Sequence, residues 1–295
     1  MRAVDWSPWL APGIGVDVRA SSQSSRLYHT GAIAERVHEA LDRPPDRDGP
    51  RVQVRLHRDE LALSIDSSGE PLHRRGWRQA LAKAPLRETI AAAMVLSSGW
   101  DRHRPLADPL CGSGTIPIEA ALIAADRAPG LHRTFAFESW PSFEPGTWAS
   151  ATGAARARIR SLDGVVVVGG DRDRGAVDAA RANAARAGVA DAVTIEEAPL
   201  SDLPDRLAVA TTGTAAGPVW LVTNPPYDRR VRGGDRRDLF ARLGQVATAV
   251  GAAPHTGLLV DADAPVGSTR LDLDLRWRVS NGGIPVQFVA GPHAR

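Results

Sequence analysis

The chain has 295 residues, 43% of them hydrophobic, and its 36 basic and 34 acidic side chains leave a formal net charge of +2. This is the composition of a globular protein with one large domain and a smaller one, and it excludes a disordered chain. A single cysteine, Cys111, excludes an intramolecular disulfide; the eight histidines never gather at metal-ligand spacing, and no apolar run has signal-peptide or bilayer-spanning length. A cytoplasmic protein with no structural metal and no membrane partner is expected.

In chain order, "HTGAIAERVHEALD" places Ile33, Val37 and Leu41 at helical spacing, and "RPPDRDGP" cannot continue that helix. "RVQVRLHRDELALSID" alternates apolar and polar residues on both sides of "HRDE", the pattern of a hairpin with one buried face. Residues 1–70 are therefore expected to form a small α+β unit, and residues 71–295 a larger domain. The latter begins with a helix in "APLRETIAAAMVLSSGW", opened by Pro85 and closed around Gly99. "PLADPLCGSGT" reads as a short strand and glycine turn leading into the helical "IPIEAALIAAD". "GVVVVGGD" reads as an apolar strand followed by the helical "AVDAARANAARAG". "AVTIEEA", "VWLVTNPPY", "HTGLLVDA", "LRWRVSN" and "IPVQFVAG" supply further strands, with "RRDLFARLGQVATAV" as a helix among them. Strands alternating with helices predict an α/β fold, a mostly parallel sheet covered on both faces. The last two strands lack an intervening helix, which predicts one antiparallel edge strand. "ATTGTAAGP" has the composition of a surface loop.

Ligands of such sheets bind beyond the carboxyl ends of the strands, near the topological switch point. Two loops fall there. In "DPLCGSGT", Asp108 to Thr115, small residues let the backbone approach a ligand, and the next helix offers its N-terminal N–H groups to an anion. In "GGDRD", Asp171 ends an apolar strand where it can accept bonds from ribose hydroxyls. The pair indicates a nucleoside-containing cofactor. No third glycine follows at the dinucleotide spacing, and an acid ahead of the turn suits a cationic amino-acid end, which favours S-adenosylmethionine over NAD. Cys111 has no nearby base and reads as a buried side chain beneath the loop.

"NPPY", Asn224 to Tyr227, ends the fourth strand of this sheet. The Asn224 carbonyl and a neighbouring backbone carbonyl can accept both N–H bonds of an exocyclic amine and turn its lone pair toward a methyl donor. Pro225 and Pro226 stiffen the backbone and donate no competing N–H. Tyr227 offers a ring face to a base taken out of its stack.

Taken together, "DPLCGSGTIPIEAALIA", "APGLHRTFAFESW", "GGDRDRGAVDAARANAARAGV" and "NPPYDRRV" resemble the THUMP-associated RNA methyltransferases, which make N2-methylguanosine in ribosomal or transfer RNA. "SSQSSRLYHTGAIAERV", "LSIDSSGEPLHRRGWR" and "APLRETIAAAMVL" extend the resemblance over most of the chain. It implies a class I, Rossmann-like methyltransferase domain with a seven-stranded sheet, S-adenosylmethionine as donor and a structured RNA as substrate. It also implies that Pro85, Leu86, Asp108, Gly112, Ser113, Gly114 and Thr115 face the methionine part of the cofactor. Asp171 and Arg172 would lie at the ribose, and Asn224, Pro225, Pro226 and Tyr227 at the target guanine. Three departures stand out. Pro199 falls where the family has an acidic residue at the adenine, leaving Asp202 as a substitute. Asp228 replaces the glycine that commonly follows the tyrosine. The chain opens at "VDWSPWL", which is similar to the later part of the THUMP region, so a shortened N-terminal region is expected.

"LHRRGWR" groups Arg74, Arg75 and Arg78 around Trp77, and "YDRRVRGGDRR" places Arg229, Arg230, Arg232, Arg236 and Arg237 just past the base pocket. Both are candidate contacts to RNA phosphates, since guanidinium groups meet phosphates bidentately. Two alternatives stay open: an adenine-N6 methyltransferase, because the same chemistry serves that amine, and a catalytically silent RNA-binding protein that retains the fold.

Overall fold

The computed structural model describes residues 4–79, 86–212, 217–227 and 233–292. Two compact units emerge, one comprising residues 1–72 and 132–154, the other residues 73–131 and 155–295.

In the first unit, β1 (Asp17–Gln23), α1 (Thr30–Leu41) and β2 (Arg51–His57) form a crossover that sets β1 and β2 parallel, and β3 (Glu60–Ile65) folds back antiparallel to β2. The hairpin forms where the alternation predicts it. Val52, Val54 and Leu56 are buried while their neighbours face water. Its two turn residues, Arg58 and Asp59, have φ of 52° and 65°, the backbone twist that a two-residue hairpin needs. Leu10, Val16 and Val52 form the core of this unit, with Trp6, Trp9 and Leu41 packed against it.

The second unit holds α2 (Glu88–Ser97), β4 (Leu106–Asp108), α3 (Thr115–Ala124), β5 (Val167–Asp171), α5 (Arg174–Ala187), β6 (Val193–Glu197), α6 (Leu203–Ala210), β7 (Trp220–Thr223), α7 (Gly233–Ala249), β8 (Thr256–Asp261), β9 (Asp274–Asn281) and β10 (Ile284–Ala290). The remaining helix, α4 (Pro145–Ala157), contains the second boundary between the units. The sheet has seven strands in the order β6-β5-β4-β7-β8-β10-β9. The pairs from β6 to β8 are parallel, and β10 runs antiparallel to both β8 and β9. One reversed strand therefore exists, as the sequence predicts, and it lies one place in from the edge formed by β9.

Both faces of this sheet are covered. One carries a cluster that includes Met94, Ile116, Ile118, Ala180 and Phe288, the other a cluster of Leu203, Phe240, Leu243 and Leu258. The helices supplying the first are apolar nearly all round: in α3, nine of ten residues are buried. Chain order reverses between β4 and β7, so the crevice of the sheet opens beyond the carboxyl ends of those strands and of β5.

Candidate active site

Asp108, Asp171 and Thr223 are the last residues of three neighbouring parallel strands, β4, β5 and β7. The loops leaving these strand ends build the site. After β4 the backbone turns through Gly112 and Gly114, with φ of 52° and 84°. A Cβ on Gly114 would approach Ala180 Cβ to 2.9 Å, so close packing on α5 demands glycine there. A Cβ on Gly112 would meet nothing within 4 Å. The first glycine thus borders open space and the second a packed helix, the arrangement of a cradle with one ligand-facing wall.

The cradle is held firmly. The Gly112 N–H donates to Asp171 Oδ2 at 2.9 Å and the Cys111 N–H to the Gly170 carbonyl at 2.8 Å. Asn183 Nδ2 donates to the Ser113 carbonyl at 3.0 Å, and the Arg186 guanidinium donates to Asn183 Oδ1. Asn183 is fully buried, and no sequence motif singled it out, although an amide among the alanines of "ARANAARAG" was the available signal. Ser113 and Thr115 are buried as well. Burial pushes the Cys111 thiol well above its ordinary value, as expected for a packing side chain rather than a nucleophile.

Asp108 is 1% exposed and accepts from Thr223 Oγ1 at 2.6 Å and from the Leu110 N–H at 3.2 Å. Burial raises its pKa to about 7, Thr223 and Leu110 oppose the rise, and the charge of Asp171 adds to it. This carboxyl needs only a nearby cation to ionise. Thr223, which sequence reasoning missed, directly precedes Asn224 and so ties the cradle to the loop after β7.

Leu86 is buried, and its carbonyl, together with Thr115 Oγ1, accepts from the Arg78 guanidinium. Pro85 lies outside the described residues. Arg172 is exposed beside Asp171. Asp202 is exposed too and accepts from Ser201 Oγ at 3.1 Å, while the Ala198 N–H donates to the Asp171 carbonyl at 2.9 Å. Ala198 and Pro199 therefore lie along Asp171, where the resemblance implies an acidic side chain.

In the loop after β7, Pro225 is buried, Pro226 exposed, and Asn224 and Tyr227 half-buried. The Tyr227 ring packs against the larger core cluster, and its hydroxyl donates to Asn224 Oδ1. Burial holds the phenol well above its usual range, opposed by its bond to Asn224 and by the Asn281 side chain. The stacking ring expected from the sequence is thus tethered at its tip in this state.

The two basic clusters differ. Arg75 and Arg78 have side chains only 9% and 8% exposed, paired respectively with Glu119 at 2.7 Å and Glu88 at 3.3 Å. The sequence groups them as phosphate contacts; in the structure both guanidinium groups are paired with buried carboxylates, and both residues line the same cavity as Arg74. Arg74 is exposed and lines a cavity of about 710 Å³ with Arg87, His73, Tyr227 and Asn281. Arg229, Arg230 and Arg232 lie outside the described residues. Among the described residues no cluster of histidine, cysteine, aspartate or glutamate could hold a metal, and no helix is long and apolar enough to cross a membrane.

Residues 75–260 match the family described as RMKL-like, methyltransferase domain. The chain is 35% identical over 285 residues to the ribosomal RNA large subunit methyltransferase K/L of Vibrio parahaemolyticus. That match covers 92% of this chain and 39% of the relative, so the chain spans about two fifths of the length of that curated protein. A Listeria monocytogenes structure described as a predicted N6-adenine-specific DNA methylase aligns with a TM-score of 0.79 at 31% identity, covering 99% of this chain and 77% of that one. SMU.472, a candidate methyltransferase complexed with SAH, aligns with a TM-score of 0.80 at 27% identity, covering 100% and 79%. With the seven-stranded sheet, the glycine cradle and the Asn-Pro-Pro-Tyr loop in place, the match over most of the second unit settles the family: the chain belongs to the RMKL-like methyltransferase domains.

Proposed function

We propose that the chain is an S-adenosylmethionine-dependent methyltransferase acting on the exocyclic N2 amine of guanine in a structured RNA, ribosomal or transfer. The observation that carries this reading is the link Asp108–Thr223–Asn224, which joins the cofactor cradle to the amine-binding loop through one 2.6 Å hydrogen bond. The SAH complex of SMU.472 and the ribosomal RNA activity in the name of the Vibrio relative support it.

The residues present fit the donor. The open side of Gly112 leaves room for it, the N-terminus of α3 faces the same loop, and Asp108 is poised to ionise opposite an ammonium group. Asp171 retains lone pairs for ribose hydroxyls after accepting from Gly112 and Asp173. The cofactor supplies an electrophilic methyl group on a sulfonium. Asn224 Oδ1 and an adjoining backbone carbonyl accept the amine's two N–H bonds, which turns the nitrogen lone pair out of conjugation and toward that methyl. Transfer of that methyl to the nitrogen would release the thioether product, and the amine would give up one proton to water. Residues 1–70 would help grip the RNA as a THUMP-like region, with Arg74, Arg229, Arg230 and Arg232 at its phosphates.

Calorimetric titration with S-adenosylmethionine, and mass spectrometry of ribosomal RNA incubated with the protein, test the reading. Micromolar binding and new N2-methylguanosine are expected. Asn224→Ala should abolish transfer while cofactor affinity stays within about three-fold, since its bonds act mainly in the transition state. Full activity in that variant would overturn the mechanism. New N6-methyladenosine instead would favour the reading suggested by the description of the Listeria relative.

A further inference from the structure

Asn281 closes β9 at a two-residue turn in which Gly282 and Gly283 have φ of 60° and 88°, and its backbone pairs with Ile284. That turn fixes its position. The residue is 6% exposed and lines the 710 Å³ cavity beside Tyr227. Tyr227 has a single proton to give, and it goes to Asn224 Oδ1. Any bond between Asn281 and that hydroxyl therefore has to come from Nδ2. Asn281 Oδ1 is left buried with no partner. A buried amide oxygen without a donor is costly, and native structures seldom keep one without a use.

Asn281 and Tyr227 line one cavity, and the Tyr227 hydroxyl bonds Asn224 Oδ1, so a nucleobase entering that cavity would meet both asparagines. Among bases with an exocyclic amine, adenine and cytosine present an acceptor ring nitrogen beside it on the pairing edge. Guanine presents a donor, N1–H, next to its N2 amine. An unpartnered acceptor near the amine-binding asparagine favours the base with the adjoining donor and penalises the others by facing them with a second acceptor.

We infer that Asn281 is a specificity-determining residue, whose Oδ1 accepts the N1–H of the target guanine while Asn224 holds the N2 amine. This rests on the methyltransferase reading above and deepens it. Entry of the base displaces the Tyr227 hydroxyl from Asn224 Oδ1, so the tyrosine serves as a placeholder for the amine in the resting state.

The test is methyl transfer to an unmodified transcript of large-subunit ribosomal RNA, with the product nucleoside identified by mass spectrometry and SAH affinity and thermal melting measured in parallel. Asn281→Leu should lower kcat/KM for the RNA about ten- to a hundred-fold, with SAH affinity within two-fold. Asn281→Asp, which keeps an acceptor at the same place, should retain activity within about three-fold. If the leucine variant fails to fold, Asn281→Ala is read in its place. Guanine methylation with Asn281→Leu as active as the parent overturns this inference and leaves the methyltransferase reading standing. A methylated adenine, or no transfer by the parent protein to this transcript or to unmodified transfer RNA, overturns both.

Discussion

Asp108 shows how a side chain legible in the sequence acquires its chemistry from its surroundings. The strand-ending acid before a glycine turn marks a ligand site; its burial beneath Thr223, which sets the pKa near 7, does not follow from the local sequence. The consequences for pH have a definite sign. Because the folded-state value lies above the unfolded one, the stability contributed by protonated Asp108 is fully present below about pH 4 and is lost as the pH rises through about 7. Affinity for a cationic cofactor end runs the other way: it needs the carboxylate, so binding releases a proton and tightens by up to about ten-fold per unit from pH 5 toward 7. Calorimetry in buffers of different ionisation enthalpy measures that proton, and Asp108→Asn should flatten the Asp108 part of both profiles. Unchanged profiles in the variant would remove Asp108 from the site. The role inferred for Asn281 was out of reach at this scale, since it depends on a cavity shared with a residue 54 positions earlier in the chain.

At the scale of elements, the arginines around Trp77 fasten the segment before α2 to α3 through the buried Arg75–Glu119 and Arg78–Glu88 pairs. Glu119 is raised to about 7 by burial even with Arg75 against it, so the pair is sustained by geometry against desolvation. Arg75→Ala should destabilise the protein by about 3 kcal/mol in urea unfolding, and more at pH 8 than at pH 6, because Glu119 titrates near 7 and only above that has the parent a full ion pair to lose. Arg75→Met combined with Glu119→Leu should recover most of the loss; a single variant as stable as the parent would show the pair to be idle. Such pairs were not legible in the sequence: spacing shows that arginines cluster but not that carboxylates 10 and 44 residues away meet them. The strands were legible because their apolar runs are dense. Helix α4 was not, having no fully buried residue, and α6 buries only Leu203 and Leu207 over its eight positions. The place of β10 between β8 and β9 was equally hidden, since hairpin-connected strands leave no local mark of which one reaches the centre.

For the molecule as a whole, the discontinuous first unit matters most. Residues 132–154 are bound to it by the Phe137 N–H on the Ser67 carbonyl at 3.2 Å, by Ser142 on the Pro8 carbonyl, and by Arg133 on the Ser68 and Pro71 carbonyls. Trp148 meets Phe135 and Phe137 edge to face within that segment. A fragment of residues 73–295 should therefore aggregate or be clipped by protease within 132–154, whereas the same fragment with that segment replaced by a short glycine-serine linker should stay monomeric and bind the cofactor. Size-exclusion chromatography and limited proteolysis compare the two, and equal behaviour would show that the segment stands alone. The same discontinuity imposes a timetable on synthesis. A ribosome finishes the first 72 residues roughly several seconds before residue 154 emerges, and in between it makes the β4 strand, the glycine cradle and α3. The N-terminal unit must wait, incomplete, while part of the catalytic sheet is already outside, so the two are born interleaved rather than one after the other.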